Sequence, residues 1–157
     1  DRYYQYVRDL SIASVVGGYP DGTFGSRNEV TWGQALKLIM LAVGYDVQEP
    51  VEGGHWASGY LMKALQDGLV SADQNIDLNA PLSRVEYARV AYAAMGLKLS
   101  KIDNPFIDTD DASVIALYEA GIVEGSFNAN GRVFKPEDNI SRAEMSAVIW
   151  RIMNYER

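Results

Sequence analysis

Three stretches of the chain repeat the same order of apolar and polar residues. In each, a branched apolar residue precedes Ser or Thr, and Glu or Gln follows that hydroxyl three residues later. The stretches are Val30 to Gln34, Leu82 to Glu86 and Ile140 to Glu144. This spacing is typical of a capping box, in which each of the two side chains bonds the backbone N–H of the other residue. The pattern therefore predicts that a helix begins after Thr31, after Ser83 and after Ser141.

Apolar residues at three- and four-residue steps follow each of these helix starts. The helix after Thr31 is apolar nearly all round and ends at Gly44, so we expect it to be largely buried. A further amphipathic helix precedes each of the three, within 3–16, within 56–66 and from Val114 to about Ala120. The fold class predicted from these patterns is all-α.

The three helix starts recur at intervals of roughly 50 to 60 residues, about the length of a helix–loop–helix unit with its connector. We therefore predict one compact module of three repeats, with boundaries at 1–47, 48–100 and 101–157. The second helices of the repeats are expected to share one core.

Composition narrows the class of protein. A chain of 157 residues, 48% hydrophobic and 22% charged, is close to the size of one ordinary globular domain. No apolar run approaches the roughly 18 residues of a membrane span, so no membrane insertion is expected. The net charge of −7 argues against nucleic acid as a partner, since no general basic field is available. An anionic partner would have to be caught locally, by a few placed donors.

The motifs and their order resemble the S-layer homology domain family, as a tandem of three repeats. The family pattern has an opening Phe-x-Asp, a Trp-Ala helix, a Gly-Tyr-x-Asp-Gly-Thr-Phe loop and an Ile-Thr-Arg-Ala-Glu helix start. The matching segments here are Phe106 to Asp108, His55 to Ala57, Gly18 to Phe24 and Ile140 to Glu144. The chain departs from the pattern where Trp32 replaces the arginine, and where the segments 70–75 and 124–136 replace the loop.

The resemblance implies a fold and a function. Three such repeats form a pseudo-threefold helical body with grooves between neighbours, and family members bind secondary polysaccharides of the Gram-positive cell wall, often through a pyruvylated sugar. We therefore expect an extracellular, non-catalytic anchoring module at the cell wall or S-layer, continuous with a larger surface protein or exoenzyme. No cofactor is expected. The alternative is a degenerate repeat body that serves as a structural spacer or protein-docking module without glycan binding.

Two arginines are predicted to receive a carboxylate of the glycan. Arg84 and Arg142 each stand in the first turn of a helix, where free backbone N–H groups and the helix dipole favour an anion, and their planar fork suits a carboxylate. The other predicted glycan-binding residues are Gly18, Tyr19, Asp21, Gly22 and Trp32.

Each of these assignments has a structural alternative. The arginines could instead pair with a carboxylate in an adjacent repeat. Asp21 could bond the backbone of its own turn. Tyr19, Phe24 and Trp32 could belong to the core.

Two further motifs are weaker. The segment 73–77 resembles the start of a calcium loop, but Leu78 stands at the position of the turn glycine and Arg84 at that of the bidentate glutamate, so no metal site is expected. His55 is the only histidine, which favours a structural or capping role. Without cysteine or a second histidine, no zinc site or Ser-His-Asp arrangement can be assembled. The sequence leaves open a pair of carboxylates for glycoside hydrolysis, but nothing in it places two of them across a groove, so we predict no enzyme.

Overall fold

The computed structural model describes residues 29–156, and this part of the chain is mostly helical. Its five α-helices are α1 (Trp32–Val43), α2 (Ser58–Gln66), α3 (Arg84–Met95), α4 (Ala112–Glu119) and α5 (Arg142–Met153). A 3₁₀ turn, Ala72–Gln74, lies between α2 and α3. The predicted helix within 3–16 and the predicted turn from Gly18 to Phe24 lie outside the described residues. No helix within 29–156 has the length and apolar character needed to cross a bilayer.

The predicted starts of the long helices are confirmed. Thr31, Ser83 and Ser141 are the N-caps of α1, α3 and α5, and each hydroxyl accepts a hydrogen bond from the backbone N–H three residues on. Gly44 and Gly96 end α1 and α3 in the left-handed conformation, with φ of 108° and 65°. Glycine takes this conformation at little cost, which is why the helices end there.

The prediction of an all-α fold omitted a small antiparallel sheet. Strand β1 (Ser126–Asn128) pairs with β2 (Gly131–Val133). The turn between them is closed by a hydrogen bond from the Asn130 backbone N–H to the Asn128 side chain, at 2.8 Å. Strands of three residues are too short to show an alternating pattern, so the signal for this hairpin lay only in its Asn and Gly residues.

Three extended segments, one before each of α1, α3 and α5, meet in a closed ring of backbone hydrogen bonds. The N–H of Val30 donates to the carbonyl of Ile140 at 3.1 Å. The N–H of Ile140 donates to Leu82, and that of Leu82 donates to Val30, both at 3.2 Å. All three side chains are buried. The ring holds the N-termini of the three helices next to one another.

The core lies below this ring. Helix α1 contacts α2, α3 and α5, and α3 contacts α4. Seven of the twelve residues of α1 are buried, which confirms the prediction from its apolar composition. The largest fully buried side chains include Leu36, Ile39, Met40, Leu117, Met145 and Ile149.

Candidate functional site

A groove of about 360 Å³ lies between α3, α5 and the segment that carries the hairpin. Five of its lining side chains are charged: Arg84, Glu124, Lys135, Glu144 and Arg151. The others include Tyr87, Ser126, Phe134, Ser141 and Val148. The groove therefore combines three cations, two carboxylates and several apolar side chains, in a chain whose net charge is −7.

Arg84, the first residue of α3, binds the carboxylate of Glu144 on α5. Its Nε lies 2.8 Å from Glu144 Oε2, and its Nη2 lies 2.6 Å from both carboxylate oxygens. Nη1 lies 3.6 Å from Asp138 Oδ2. The exposed fraction is 18% for the Arg84 side chain and 31% for that of Glu144. The alternative in which Arg84 pairs with a carboxylate elsewhere in the chain is therefore observed.

Glu144 differs from the residues at the equivalent position of the other two helices. Gln34 and Glu86 reach back to the backbone N–H of their own caps, at 3.0 Å and 2.8 Å, and complete both capping boxes. The Glu144 carboxylate instead meets Arg84 and, at 3.1 Å, the hydroxyl of Ser141. The prediction of a full capping box at Ser141 is thus half wrong. A guanidinium fork makes stronger, charge-assisted hydrogen bonds than a neutral backbone N–H, and Arg84 is within reach.

The expected free backbone N–H groups are not available at α1 or α3. In α3 the first three N–H groups donate to Asp138 O (2.8 Å), Pro136 O (3.0 Å) and Ser83 Oγ (3.3 Å). In α1 the same three positions donate to Ala80 O (2.9 Å), Leu78 O (3.0 Å) and Thr31 Oγ1 (3.3 Å). These helix starts are capped by neighbouring loops, so an anion in the groove would have to be bound by side chains.

Arg142 lies away from the groove, although it holds the same position in α5 that Arg84 holds in α3. Its exposed fraction is 4%, and it lines a small cavity with Val30, Gln34, Leu38 and Met145, between α1 and α5. The structure therefore does not bring the two predicted arginines together.

The remaining predicted glycan-binding residues divide into two sets. Trp32 is 5% exposed and belongs to the core, as in the alternative for this residue. Gly18, Tyr19, Asp21 and Gly22 lie outside the described residues.

Sequence reasoning missed Arg151, which lies on the same groove. Its Nη1 donates to the Ile122 carbonyl and its Nη2 to Glu124 Oε1, both at 3.2 Å. Its side chain is 18% exposed, as is that of Arg84. Nothing local marks this arginine, because it lies near the C-terminus of α5 and reaches the groove only in the folded chain.

Lys135 and Tyr87 were also missed. Asp108 holds the backbone just after β2, where Lys135 lies, because its two carboxylate oxygens accept the backbone N–H groups of Phe134 and Lys135 at 2.9 Å and 2.8 Å. The Phe-x-Asp motif, which contains Asp108, was therefore the sequence signal that could have indicated the position of Lys135. Burial, reinforced by the charge of Glu144, raises the pKa of Tyr87 above its ordinary value.

The two weaker motifs take structural roles. His55 Nδ1 accepts the backbone N–H of Ala57 at 3.0 Å, just before α2, and its Nε2 lies 2.8 Å from Asn79 Oδ1. No side chain caps α2, so the role of His55 is structural and not that of a helix cap. Asp73 lies in the 3₁₀ turn and accepts the hydroxyl of Ser71. Within residues 29–156, no three acidic or histidine side chains converge as metal ligands.

Comparison with known proteins finds a family match for one segment of the chain. Residues 109–146 match the S-layer homology domain family, which confirms the resemblance for that stretch. The matched residues contain α4, the hairpin and the start of α5, and so include one wall of the groove.

Three curated proteins of Gram-positive bacteria are similar to parts of the chain. An uncharacterised cell wall amidase of Bacillus anthracis is 26% identical over 147 residues, 85% of this chain and 27% of that protein. The middle cell wall protein of Brevibacillus brevis is 34% identical over 64 residues, 41% of this chain and 6% of that protein. The surface layer protein of Brevibacillus choshinensis is 29% identical over 75 residues, 48% of this chain and 6% of that protein. The chain thus matches only a minor part of each relative's length.

Proposed function

We propose that this chain, whose residues 109–146 match the S-layer homology family, is a non-covalent cell-surface anchoring module that binds an acidic secondary cell-wall polysaccharide, such as a pyruvylated one. The observation that carries the proposal is the partly exposed Arg84 fork in a groove that the matched segment helps to form. The similarity to cell wall and surface layer proteins supports an extracellular location at a Gram-positive wall.

The chemistry of the groove suits an acidic sugar. A carboxylate can take two parallel hydrogen bonds from a guanidinium, and such charge-assisted pairs are about twice as strong as neutral hydrogen bonds. Lys135 adds positive charge near Arg84, and Arg151, which is paired with Glu124, adds further N–H donors. Carbohydrate hydroxyls could bond to these groups while the ligand carboxylate binds Arg84.

The repeat organisation belongs to the same proposal. We propose three repeats, 1–47, 48–100 and 101–157, related by a pseudo-threefold axis through the hydrogen-bonded ring of Val30, Leu82 and Ile140. Each of these residues stands directly before an N-cap of the long helices. The Arg84 groove would then lie between the second and third repeats.

Within the described part of the chain, the residues equivalent to Arg84 do not provide a second accessible side chain that could bind a ligand carboxylate. Trp32 and Arg142 hold the same position in α1 and α5, and both are buried. We therefore assign glycan binding to the groove between α3 and α5.

Anchoring is proposed as separate from catalysis. The match covers 27% of the length of the Bacillus anthracis amidase. An endoglucanase of a Bacillus species is 34% identical over 77 residues, and that match covers 8% of the endoglucanase. These fractions leave most of each enzyme's length for its catalytic part. We propose that this chain is likewise joined to a larger surface protein or exoenzyme, as its non-catalytic wall-binding part.

Wall co-sedimentation tests the proposal. The 157-residue chain is mixed with purified walls of a Bacillus species that carries an acidic secondary polymer, with Arg84→Ala as the test variant and Arg89→Ala as its control. Arg89 lies on the same helix and pairs with Asp111 at 3.0 Å, away from the groove, so both variants lose one positive charge. We expect Arg84→Ala to remain in the supernatant and Arg89→Ala to sediment like the wild type. Equal sedimentation of both variants would refute the role of Arg84.

The alternative function is a structural spacer or protein-docking module. The pairing of Arg84 with Glu144 favours it, because that arginine already has a carboxylate partner within the chain. Absence of wall binding by the wild type, with a cooperative unfolding transition that reports an intact fold, would support this alternative.

A further inference from the structure

We infer that Glu144 is an internal competitor for the Arg84 fork and so determines which anions the groove accepts. This inference rests on the proposed glycan-binding function of the same groove. It concerns Glu144 itself, which stands at a capping position but has its carboxylate in the anion site.

Glu144 occupies the position on the Arg84 guanidinium where a ligand carboxylate would bind. Both oxygens of Glu144 lie within 2.6 Å of Arg84 Nη2, and one also accepts Nε, so the fork is filled as a bidentate ligand would fill it. The third nitrogen, Nη1, faces Asp138 at 3.6 Å. An incoming anion must therefore displace Glu144 or meet its repulsion.

Displacement is feasible because the pair is not sealed from solvent. Both side chains line the groove and are 18% and 31% exposed, so water screens their attraction. A carboxylate that Arg84 releases also has a second position available. Gln34 and Glu86 show that the residue three positions after the cap can bond the cap's own N–H, which for Glu144 is the N–H of Ser141.

This competition gives selectivity. A small anion such as acetate offers Arg84 the same carboxylate hydrogen bonds that Glu144 already provides, so replacing Glu144 with acetate gains little binding free energy. An acidic sugar can also bond its hydroxyls to Lys135 or Arg151, and those contacts supply the difference. Glu144 thus favours ligands that carry both a carboxylate and a sugar ring.

Titration calorimetry of two matched variants tests the inference. Glu144→Gln removes the competing charge, and Glu86→Gln makes the same change at the equivalent cap in α3. Glutamine stands naturally at the third equivalent position, Gln34, so both variants are expected to fold. The probes are a pyruvate-ketal monosaccharide, its uncharged methyl ester, and sodium acetate.

For Glu144→Gln we expect the acidic sugar to bind about tenfold more tightly, since one competing charge-assisted pair is removed. Acetate should bind measurably to this variant and not to the wild type. The methyl ester should change by less than about twofold, and Glu86→Gln should behave like the wild type with every probe. Glu144→Ala is the second variant, and we expect the same direction of change.

The outcomes separate the inference from the function on which it rests. If the wild type binds the acidic sugar and both Glu144 variants bind it equally or more weakly with unchanged melting temperatures, the inference is wrong and the proposed function stands. If only the Glu144 variants bind, Glu144 is the competitor, and the natural groove is closed to this sugar. If neither the wild type nor a variant binds, the function and the inference are both refuted.

Discussion

The carboxylate of Asp108 accepts the backbone N–H of Lys135 at 2.8 Å, across 27 residues of sequence. With the second bond, to Phe134, this contact fixes the segment after β2 that carries Lys135 to the groove. Asp108 therefore acts on the candidate site from outside it, since it does not line the groove itself.

Replacement of Asp108 should weaken both the fold and the groove. Asp108→Ala removes the acceptor of one part-buried and one exposed backbone N–H group, so we expect the free energy of unfolding to fall by about 1 kcal/mol. Asp110→Ala is the control, because Asp110 is exposed and lies two residues further along the same segment. Urea unfolding measures both variants, and equal stability would show that the Asp108 bonds contribute little.

The buried ring before the long helices should be sensitive to loss of side-chain volume. Leu82 is fully buried, and Leu82→Ala would leave a cavity at the meeting point of three segments, at a cost of about 2–5 kcal/mol. Leu99→Ala, at a residue 68% exposed, should change stability by less than about 0.5 kcal/mol. Thermal unfolding of the two variants gives the comparison, and a small effect at Leu82 would mean that the ring is not structurally important.

Gly125 should not tolerate alanine. Its φ is 74°, and a Cβ atom there would lie 2.6 Å from the Val133 carbonyl oxygen and 2.7 Å from the Phe106 ring. Gly68 has the same φ with nothing within 4 Å, so Gly68→Ala measures the backbone strain alone. We expect Gly125→Ala to lower the melting temperature clearly more than Gly68→Ala. Equal losses would show that the hairpin moves away without cost.

Arg142 should matter for stability more than for binding. Its side chain is buried between α1 and α5, so Arg142→Ala removes packing and should cost more than about 1 kcal/mol of unfolding free energy. Arg89→Ala, on the exposed face of α3, should cost less than about 0.5 kcal/mol. Chemical denaturation distinguishes the two, and the folded fraction of Arg142→Ala should still bind walls. Loss of wall binding without loss of stability would instead make Arg142 a ligand contact.

Alkaline pH should destabilise the protein through Tyr87. Burial raises the pKa of Tyr87 in the folded state, whereas the unfolded residue titrates near about 10. Above that pH the unfolded chain loses a proton that the folded chain keeps, so the free energy of unfolding falls as pH rises. Tyr87→Phe should remove most of this slope. The pKa of Tyr45 is also raised, so Tyr45→Phe serves as the comparison. This variant should keep the larger part of the slope of unfolding free energy against pH. A slope that Tyr87→Phe leaves intact would contradict the assignment.

Local signals predicted the helices well. The hydroxyl caps and the glycines at helix ends act within a few residues, so Thr31, Ser83, Gly44 and Gly96 could be assigned from the sequence alone. The apolar composition of α1 likewise predicted its burial.

The candidate site depended on contacts that the sequence does not display. Arg84 and Glu144 are 60 residues apart, and nothing local indicates that Glu144 would leave its own cap for that arginine. Arg142 has the same motif position as Arg84 but is buried between α1 and α5, a difference that the shared motif does not reveal. The same limit explains why Arg151 and Lys135 were missed.

The most direct measurement of glycan binding is a crystal structure of the chain soaked with oligosaccharide released from a Gram-positive cell wall. We expect the sugar in the groove between α3 and α5, with a ligand carboxylate on the Nε and Nη2 atoms of Arg84 and the Glu144 side chain displaced from them. A sugar bound elsewhere, or an unchanged Arg84–Glu144 pair beneath a bound sugar, would contradict this account of the site.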